Sequence, residues 1–241
     1  MAPVEPTQAA IALSGARLIA DASGALAWPG RRTVIVADLH LEKGSSFARH
    51  GALLPPYDTR ASLMRLEAVL RDHHAETVIC LGDSFHDGTA GERLSVPDAA
   101  LLSGLMAARD WVWVAGNHDP APPSDLGGRT VDELTIEGIV FRHQAMHAAP
   151  SGEVSGHFHP TAIVRLRAGR LSGRCFVSDG RRIVLPAFGA YAGGLDVFDP
   201  AIAGLFPDGF RVHLIGRHRV VSIAPTRLAR SSCGGLSRRG P

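Results

Sequence analysis

Three short runs of apolar residues in the first half of the chain each stop at a cluster of polar side chains. The runs occupy residues 33–37, 76–81 and 111–115. Because almost every position in them is apolar, they are typical of strands that are buried on both faces, as in parallel sheets. Between them, residues 59–73 carry leucines at helical spacing, and residues 98–108 follow Pro97, which favours a first helical turn. This alternation predicts parallel strands joined by crossover helices.

The second half of the chain has a different pattern, with short strands separated by glycine turns. Candidate strands cover residues 133–142, 161–167, 173–178, 182–187, 210–215 and 219–223. A helix is indicated only around 199–205, and one or two strands with a turn are indicated within 10–28. No linker separates the halves, so we predict an α/β fold in one domain, residues 1–225, whose later strands form a second sheet. Residues 226–241 are basic and glycine-rich, which predicts a flexible tail.

Side chains that can bind metals or move protons follow the apolar strands. The segments are Asp38-Leu39-His40, Gly82-Asp83-Ser84-Phe85-His86-Asp87, Gly116-Asn117-His118-Asp119 and Gly156-His157-Phe158-His159. The chain has 12 histidines, and those in or beside these segments are His40, His86, His118, His143, His147, His157 and His159. Core histidines would not cluster in this way, whereas open α/β sheets place their chemistry at the carboxyl ends of strands.

The chemistry of these side chains predicts a metal site. Carboxylate, amide and imidazole groups together suit borderline divalent cations such as manganese, iron or zinc. The candidate ligands are Asp38, His40, Asp83, Asn117, His143, His157 and His159. They exceed what one ion can use, so they predict two ions that share Asp83, the arrangement that serves in-line displacement at phosphorus. Ligands from well-separated segments, without a thiolate, are typical of an open catalytic site.

Composition narrows the compartment but not the partner. The chain has 241 residues and a formal net charge of +2, which is too small to imply a partner by itself. Cys80, Cys175 and Cys233 form no C-x-x-C pair, so neither a disulfide framework nor a thiolate zinc site is indicated. No signal peptide is evident, and no apolar stretch approaches the length of a membrane span. We therefore expect a cytoplasmic protein without a membrane partner.

The ordered motifs resemble the signature of calcineurin-like binuclear metallophosphoesterases. The matching blocks are Asp38-x-His40, Gly82-Asp83, Gly116-Asn117-His118-Asp119, His143 and Gly156-His157-x-His159. The resemblance implies a two-sheet metallophosphoesterase sandwich with flanking helices. It also implies that Asp38, His40, Asp83 and His159 hold one metal and that Asp83, Asn117, His143 and His157 hold the other. In the same way, His118 is expected to contact the phosphate or protonate the leaving oxygen, and Asp119 to orient His118.

A narrower resemblance is to the bacterial ligase-associated DNA-damage-response endonucleases of this superfamily. The segments that carry it are Asp38–Lys43, Gly51–Pro55, Leu81–His86, Phe141–His143, Ser155–Pro160, Arg174–Phe176 and Leu185–Gly189. It implies cleavage of single-stranded DNA with manganese, alongside an ATP-dependent DNA ligase, a helicase and an exonuclease. His86 is a departure, because many superfamily members carry Asp or Asn there. Whether His86 or the adjacent Asp87 serves the catalytic site stays open.

Cations and aromatic residues near the motifs are candidates for substrate binding. Lys43 and Arg49 follow the first motif, and Arg174 lies among several arginines that follow the last one. Such cations can track a phosphate backbone, although surface strands also carry arginine for solubility and edge protection. Aromatic residues that can stack on bases, or pack in the core instead, are Phe47, Phe158, Phe188 and Tyr191.

Two alternatives to a DNA endonuclease follow from the same residues. The metal pair would equally serve a phosphodiesterase or phosphomonoesterase that acts on nucleotides. A scaffold that has kept the fold and lost the chemistry is a third reading, which the complete ligand set disfavours. Within the ligand set, His147 is an alternative to His143, although His143 directly follows a predicted strand.

Overall fold

The secondary structure alternates strands and helices in the first half and is almost entirely strand in the second. The computed structural model describes residues 8–52, 54–119, 122–123, 126–147, 152–167 and 169–230. The helices are α1 (Lys43–Arg49), α2 (Asp58–Asp72), α3 (Ala90–Arg93), α4 (Val96–Ala107) and α5 (Pro200–Ala203). The first seven strands are β1 (Ala9–Leu13), β2 (Ala16–Ala20), β3 (Leu26–Trp28), β4 (Thr33–Ala37), β5 (Thr77–Leu81), β6 (Asp110–Val114) and β7 (Arg129–Val131). The later strands are β8 (Glu133–Ile136), β9 (Ile139–Arg142), β10 (Glu153–Ser155), β11 (Thr161–Leu166), β12 (Gly169–Ser178), β13 (Arg182–Val184), β14 (Arg211–Ile215), β15 (Val220–Ile223) and β16 (Leu228–Ala229).

The first sheet has the order β1-β2-β3-β4-β5-β6-β7. Strands β4 to β7 are parallel, and β1 to β3 extend the sheet as antiparallel strands beside β4. Helices α2 and α4 lie in the β4–β5 and β5–β6 connections, so the predicted parallel strands with crossover helices are confirmed.

The second sheet has the order β15-β14-β12-β13-β10-β9-β8, with β11 paired to β12 and β16 paired to β11. It is mixed, because β10 runs parallel to β9 and β13 while the other pairs are antiparallel. The predicted second sheet is therefore confirmed.

Three apolar clusters show how the layers are stacked. Alternate side chains of a strand point to opposite faces of its sheet. Val34 and Val36 of β4 accordingly pack with the leucines of α2 and α4, whereas Ile35 packs with side chains of the second sheet such as Phe176. On its far side the second sheet packs against α5, where Ile202 is buried. The fold is thus the expected sandwich of two sheets with flanking helices.

Several elements depart from the sequence predictions. Helix α1 lies in the segment after His40 for which no helix was predicted, and β7 and β10 were not predicted either. The flexible tail was predicted to begin at residue 226, whereas the structure places Leu228 and Ala229 in a strand against β11, with both side chains buried. The rest of the predicted tail, 231–241, lies outside the described residues. Among the described residues, no helix has both the length and the apolar character needed to cross a bilayer.

Candidate metal centre

Five strand ends converge at one edge of the sandwich. In the first sheet, β4 leads into Asp38 and His40, β5 into Asp83, and β6 into Asn117. In the second sheet, β9 leads into His143, and β10 leads into His157 and His159. Because β4, β5 and β6 are parallel to one another, as are β9 and β10, each sheet presents its ligand-bearing loops at a single edge. The structure brings all seven predicted metal ligands together there.

One group of ligand atoms comes from Asp38, His40 and His159. The Nε2 atom of His159 lies 3.3 Å from Asp38 Oδ1 and 3.4 Å from His40 Nε2. These are the members of the first predicted metal site other than the shared Asp83.

The second group comes from Asp83, His143 and His157, and Asn117 joins it. The Nε2 atom of His143 lies 2.9 Å from Asn117 Oδ1, 3.1 Å from His157 Nδ1 and 3.5 Å from Asp83 Oδ2. The two groups are adjacent, since His143 Nδ1 is 3.8 Å from Asp38 Oδ1. The geometry therefore divides the ligands in the way that the resemblance implies.

Backbone carbonyls fix which imidazole nitrogen faces the centre. His143 Nδ1 lies 2.9 Å from the carbonyl oxygen of Leu81, and His159 Nδ1 lies 3.1 Å from that of Gly193. A carbonyl can only accept, so each Nδ1 carries the proton, and in the neutral ring Nε2 presents a lone pair to the centre. In the second group this lone pair faces the Asn117 amide oxygen at 2.9 Å, and two acceptors at that spacing suit a shared cation.

The two carboxylates are held in a matching way. One oxygen of Asp38 accepts the His157 backbone N–H at 2.9 Å, and one oxygen of Asp83 accepts the His118 backbone N–H at 2.9 Å. The other Asp38 oxygen, Oδ1, is buried without a hydrogen-bond partner among the described residues. An unpartnered buried carboxylate oxygen is costly unless a cation balances it. The residues present therefore fit a pair of divalent metal ions.

Burial favours neutral imidazoles in this cluster. Burial, with the charge of His159, lowers the pKa of His40 to about 2, and burial with the charge of His143 lowers the pKa of His157. At His159 burial is again the largest influence and acts to lower the pKa, but the nearby Asp38 carboxylate and the Gly193 carbonyl together outweigh burial and raise the pKa. Neutral imidazoles have the free lone pair that a metal requires.

The ligand loops adopt a conformation that side chains seldom take. Positive φ angles occur at Asp38 (54°), His40 (43°), Asp83 (45°), His157 (70°) and His159 (48°). Left-handed backbone costs about 1–2 kcal/mol per non-glycine residue, so the surrounding fold must stabilise these loops. Strain of this kind concentrates at functional sites.

Two glycines allow the loops to approach one another. A Cβ on Gly116 would lie 2.1 Å from the backbone nitrogen of Asp83, and a Cβ on Gly156 would lie 2.5 Å from Asp38 Oδ2. Because these distances are shorter than any van der Waals contact, a larger residue at either position would displace a carboxylate of the centre. Both glycines directly precede predicted ligands.

His118 lies at the open side of the centre, and its side chain is 44% exposed. Its Nε2 is 4.0 Å from Asp83 Oδ2, and its Nδ1 is 3.2 Å from the backbone carbonyl of His86. The imidazole of His86 stacks on that of His118 with ring centroids 5.6 Å apart. The structure thus places both predicted catalytic histidines beside the metal ligands.

Asp119 does not orient His118 as the resemblance implied. Its Oδ2 accepts the backbone N–H of Phe85 at 2.8 Å, and the carbonyl of His86 is what contacts the His118 ring. Burial, with the charges of Asp83 and Asp38 and against hydrogen bonds from Phe85 and Ser84, raises the pKa of Asp119 to about 7. Asp119 instead holds the loop that follows Asp83.

The alternative between His86 and Asp87 is decided by Arg93. The guanidinium of Arg93 donates to both carboxylate oxygens of Asp87, at 2.9 and 2.7 Å, and its Nε donates to Ser45 Oγ at 2.9 Å. This pairing is the main reason why the pKa of Asp87 is lowered. Asp87 therefore anchors the loop to α1, and His86 is the side chain that faces the centre.

Of the predicted substrate-binding cations, Lys43 lies near the centre. Burial lowers its pKa, and the neighbouring carboxylates of Asp38, Asp58 and Asp83 act against burial. Arg49 is exposed at the end of α1 and donates to Thr89 Oγ1 at 3.3 Å.

Arg174 has a different position from Lys43 and Arg49. Its Nη1 donates to the carbonyl of Ala187 at 2.6 Å, and Arg65 donates to the next carbonyl, that of Phe188. The backbone N–H groups of Phe188 and Gly189 in turn bind the carbonyls of Ala37 and Asp38. Arg174 and Arg65 therefore hold the segment at Ala187 and Phe188 that hydrogen-bonds to the backbone of Ala37 and Asp38. The contact that the structure gives Arg174 is structural, whereas the sequence predicted substrate binding.

The choice between His143 and His147 is settled by their positions. His147 lies near Gly204 and lines a surface cavity with Arg182, so the structure places His143, not His147, among the ligands.

Some residues that support the site were not predicted from the sequence. Sequence reasoning missed Arg93 and Arg65, which no motif marks. It also missed the orienting carbonyls of Leu81 and Gly193. Leu81 directly precedes Gly82-Asp83, so its position at the strand end was a usable signal.

Comparison with known proteins places this site in a family. The family model for calcineurin-like phosphoesterases matches residues 31–182, a range that contains all seven ligands. The crystal structure of the Pseudomonas putida nuclease MPE is similar over 90% of this chain and 100% of that chain, with 31% sequence identity and a TM-score of 0.68. The phosphoesterase Yfce from E. coli is 12% identical over 80% of this chain and 98% of its own, with a TM-score of 0.37. No curated protein matches the sequence.

Proposed function

This chain belongs to the calcineurin-like phosphoesterase family, and we propose that it is a manganese-dependent endonuclease that cuts single-stranded DNA in repair. It is a metal-dependent phosphoesterase, and its fold implies two divalent ions. The observation that carries the proposal is the convergence of carboxylate, amide and imidazole ligands in two adjoining groups. This donor set, with nitrogen and oxygen and without thiolate, suits manganese, with zinc or iron as the other candidates.

When bound, the metals supply an activated water and positive charge for the phosphoryl oxygens. The residues supply position and a proton. His118 Nδ1 contacts a carbonyl that can only accept, so its other nitrogen, Nε2, is directed toward the centre beside Asp83. A protonated Nε2 there can give its proton to the leaving oxygen.

A nucleic-acid substrate is supported by access, charge and similarity. Asn117 and His118 are exposed, so the phosphoryl site is open to a polymer. Lys43 and Arg49 lie on the helix that follows the first ligand loop, where they can contact neighbouring phosphates. The similar P. putida protein is a nuclease. Cooperation with a DNA ligase, a helicase and an exonuclease rests on the resemblance of the motifs.

The test uses circular single-stranded DNA, which has no ends for an exonuclease. Protein stripped of metal and resupplied with manganese is expected to linearise the circles. His118→Ala is expected to slow cleavage by about 100- to 10,000-fold because the proton donor is lost. Asn117→Ala is expected to weaken manganese binding, measured by calorimetry. His218→Ala, which removes an exposed histidine outside the cluster, is the matched control and should cut normally.

Two results would contradict the proposal. If the circles survive while a nitrophenyl phosphodiester is hydrolysed, the metal chemistry stands and the substrate is a small phosphoester. If neither substrate is touched with manganese, zinc or iron, the fold is a scaffold without catalysis.

A further inference from the structure

A row of three aromatic rings runs outward from the metal centre. His118, beside Asp83, stacks on His86 with centroids 5.6 Å apart and planes inclined by 17°. His86 stacks in turn on Phe47, with centroids 6.0 Å apart and planes inclined by 30°. The row therefore joins the expected proton donor to a phenyl ring on α1.

Phe47 is the outer member of this row, and its ring lies exposed on the surface of α1. It is 39% exposed, whereas Phe158 (8%) and Phe188 (0%) are buried in the core. The hydroxyl of Tyr191, the other aromatic candidate, donates to the carbonyl of Pro55 at 2.8 Å. Of the four aromatics near the motifs, Phe47 thus combines an exposed ring with a direct connection to the catalytic histidines.

The surroundings of Phe47 favour an anionic strand. Lys43 precedes it by four residues on α1, so the two side chains lie on the same helix face. Arg49 is exposed two residues further on. An exposed ring beside a cation, at the edge of a phosphoryl site, is the combination by which proteins hold unpaired nucleic acid.

We propose that Phe47 is a stacking subsite for an unpaired nucleobase on the leaving-group side of the scissile phosphate. The subsite rests on the proposed nuclease function and specifies its substrate. A base in a duplex has both faces covered by its neighbours, so only an unpaired base can place a face on the ring. The subsite therefore selects single-stranded DNA or an unstacked nucleotide.

The position of the base is bounded by the geometry. Two centroid steps, of 5.6 and 6.0 Å, separate His118 from Phe47. At the stacked spacing of about 3.4 Å per nucleotide, the ring lies within about three nucleotides of the scissile phosphate, and an extended strand reaches it sooner. The leaving-group side follows because the row begins at the histidine that faces the leaving oxygen.

The test uses an end-labelled single-stranded oligonucleotide with one abasic residue, cut by the manganese-loaded protein. The cleavage rate at each linkage is read from the ladder, so remote linkages in the same molecule serve as an internal reference. Wild-type protein should cut roughly tenfold more slowly at the linkages whose leaving-group side places the abasic residue within three nucleotides. End analysis of the products identifies that side, since the leaving group carries the new hydroxyl.

Variants of Phe47 then assign the slow linkages to its ring. Phe47→Leu keeps an apolar side chain and helix propensity but removes the ring. Its ladder should therefore lack the dip, that is, the slower cleavage at the linkages near the abasic residue. Phe47→Trp should restore the dip. Leu171→Ala, which removes another exposed apolar side chain, on β12, is the matched control and should keep the wild-type pattern.

Failure of the subsite is distinguishable from failure of the nuclease proposal. A wild-type ladder without a dip, a dip confined to the other side, or a dip that persists in Phe47→Leu would each overturn the subsite while DNA cleavage stands. The absence of any ladder from wild-type protein would overturn the nuclease function on which the subsite rests.

Discussion

His213 shows how a buried histidine outside the metal centre affects the protein. Its imidazole is 4% exposed, and its two nitrogens each lie 2.8 Å from a serine hydroxyl, that of Ser178 and that of Ser222. Burial, with the positive charge of Arg211, lowers the pKa of His213 to about 4. Serine hydroxyls can satisfy a neutral imidazole, whereas neither offers a negative charge for the protonated one.

This depressed pKa predicts a loss of stability in acid. The unfolded chain, in which the histidine has its ordinary pKa of 6.5, binds the proton that the folded chain excludes. The stabilising contribution of His213 is therefore complete above pH 6.5 and lost as the pH falls toward 4. It amounts to about 3 kcal/mol at most, by the relation of about 1.4 kcal/mol for each pKa unit.

The measurement is urea unfolding of wild-type protein and His213→Gln across pH 4 to 7. The free energy of unfolding should fall more steeply with acid in the wild type than in the variant, because glutamine does not titrate. His218→Gln, at an exposed position, should follow the wild-type curve. Parallel curves for wild type and His213→Gln would show that His213 does not control the acid response.

At the scale of elements, apolar patterns predicted the strands and helices that bury an apolar face in the core. They missed elements such as α1 that hydrogen bonds to distant residues help to hold. Strand β4 matches its prediction, and β5, β6 and α2 differ by a residue or so. Helix α1 was missed because Gly44, Ser45 and Ser46 interrupt any apolar period. A tertiary bond, from the backbone nitrogen of Gly44 to Asp58 Oδ2 at 2.9 Å, helps to hold it.

The strand-to-loop junction after β6 leads to a prediction about Gly116. In Gly116→Ala, the new Cβ would lie 2.1 Å from the Asp83 backbone nitrogen and 2.4 Å from its Oδ1. The Asp83 carboxylate must then move, and a displacement of about 1 Å at a catalytic group can cost about 100-fold in rate. We expect at least that loss in phosphodiester hydrolysis, together with weaker manganese binding by calorimetry.

The control for Gly116→Ala is a glycine with open space around it. A Cβ on Gly104 of α4 has no such neighbour within 4 Å, so Gly104→Ala should keep full activity. It should also raise the free energy of unfolding by about 0.5–1 kcal/mol, because alanine is the better helix former. Retained activity and metal binding in Gly116→Ala would mean that the ligand loops can move apart without harm.

At the scale of the whole molecule, the core between the sheets joins the two halves of the chain. Apolar side chains of both sheets pack together in it, and they include Ile35, Ile79 and Val112 from the first sheet and Phe141, Phe176 and Ile183 from the second. The ligands from Asp38 to Asn117 follow strands of the first sheet, and those from His143 to His159 follow strands of the second. The metal centre therefore forms only when the sheets are docked.

The shared core predicts that the two sheets unfold together, as expected for a single domain. Phe176 of the second sheet is completely buried, so Phe176→Ala should cost about 3–5 kcal/mol. All three tryptophans, Trp28, Trp111 and Trp113, lie in the first sheet. Their fluorescence should nevertheless shift to the same lower urea midpoint as far-ultraviolet circular dichroism.

The exposed Leu171 again supplies the control, since Leu171→Ala on the same strand should change stability by less than about 0.5 kcal/mol. If tryptophan fluorescence keeps its wild-type midpoint in Phe176→Ala, the sheets unfold independently and the single-domain prediction is wrong.

The sequence by itself determined the parallel strands of the first sheet, the two-sheet fold and the seven residues that converge. It could do so because apolar period and polar strand ends are local properties, and parallel strands must bring their carboxyl ends to one edge. Only the tertiary structure decided between His143 and His147 and between His86 and Asp87, since each choice depends on partners far along the chain or on the fold around them. It also showed that Phe47 is exposed whereas Phe158 and Phe188 are buried, and that Arg174 donates to a backbone carbonyl. Exposure and side-chain direction depend on what packs nearby, and no local pattern contains that information.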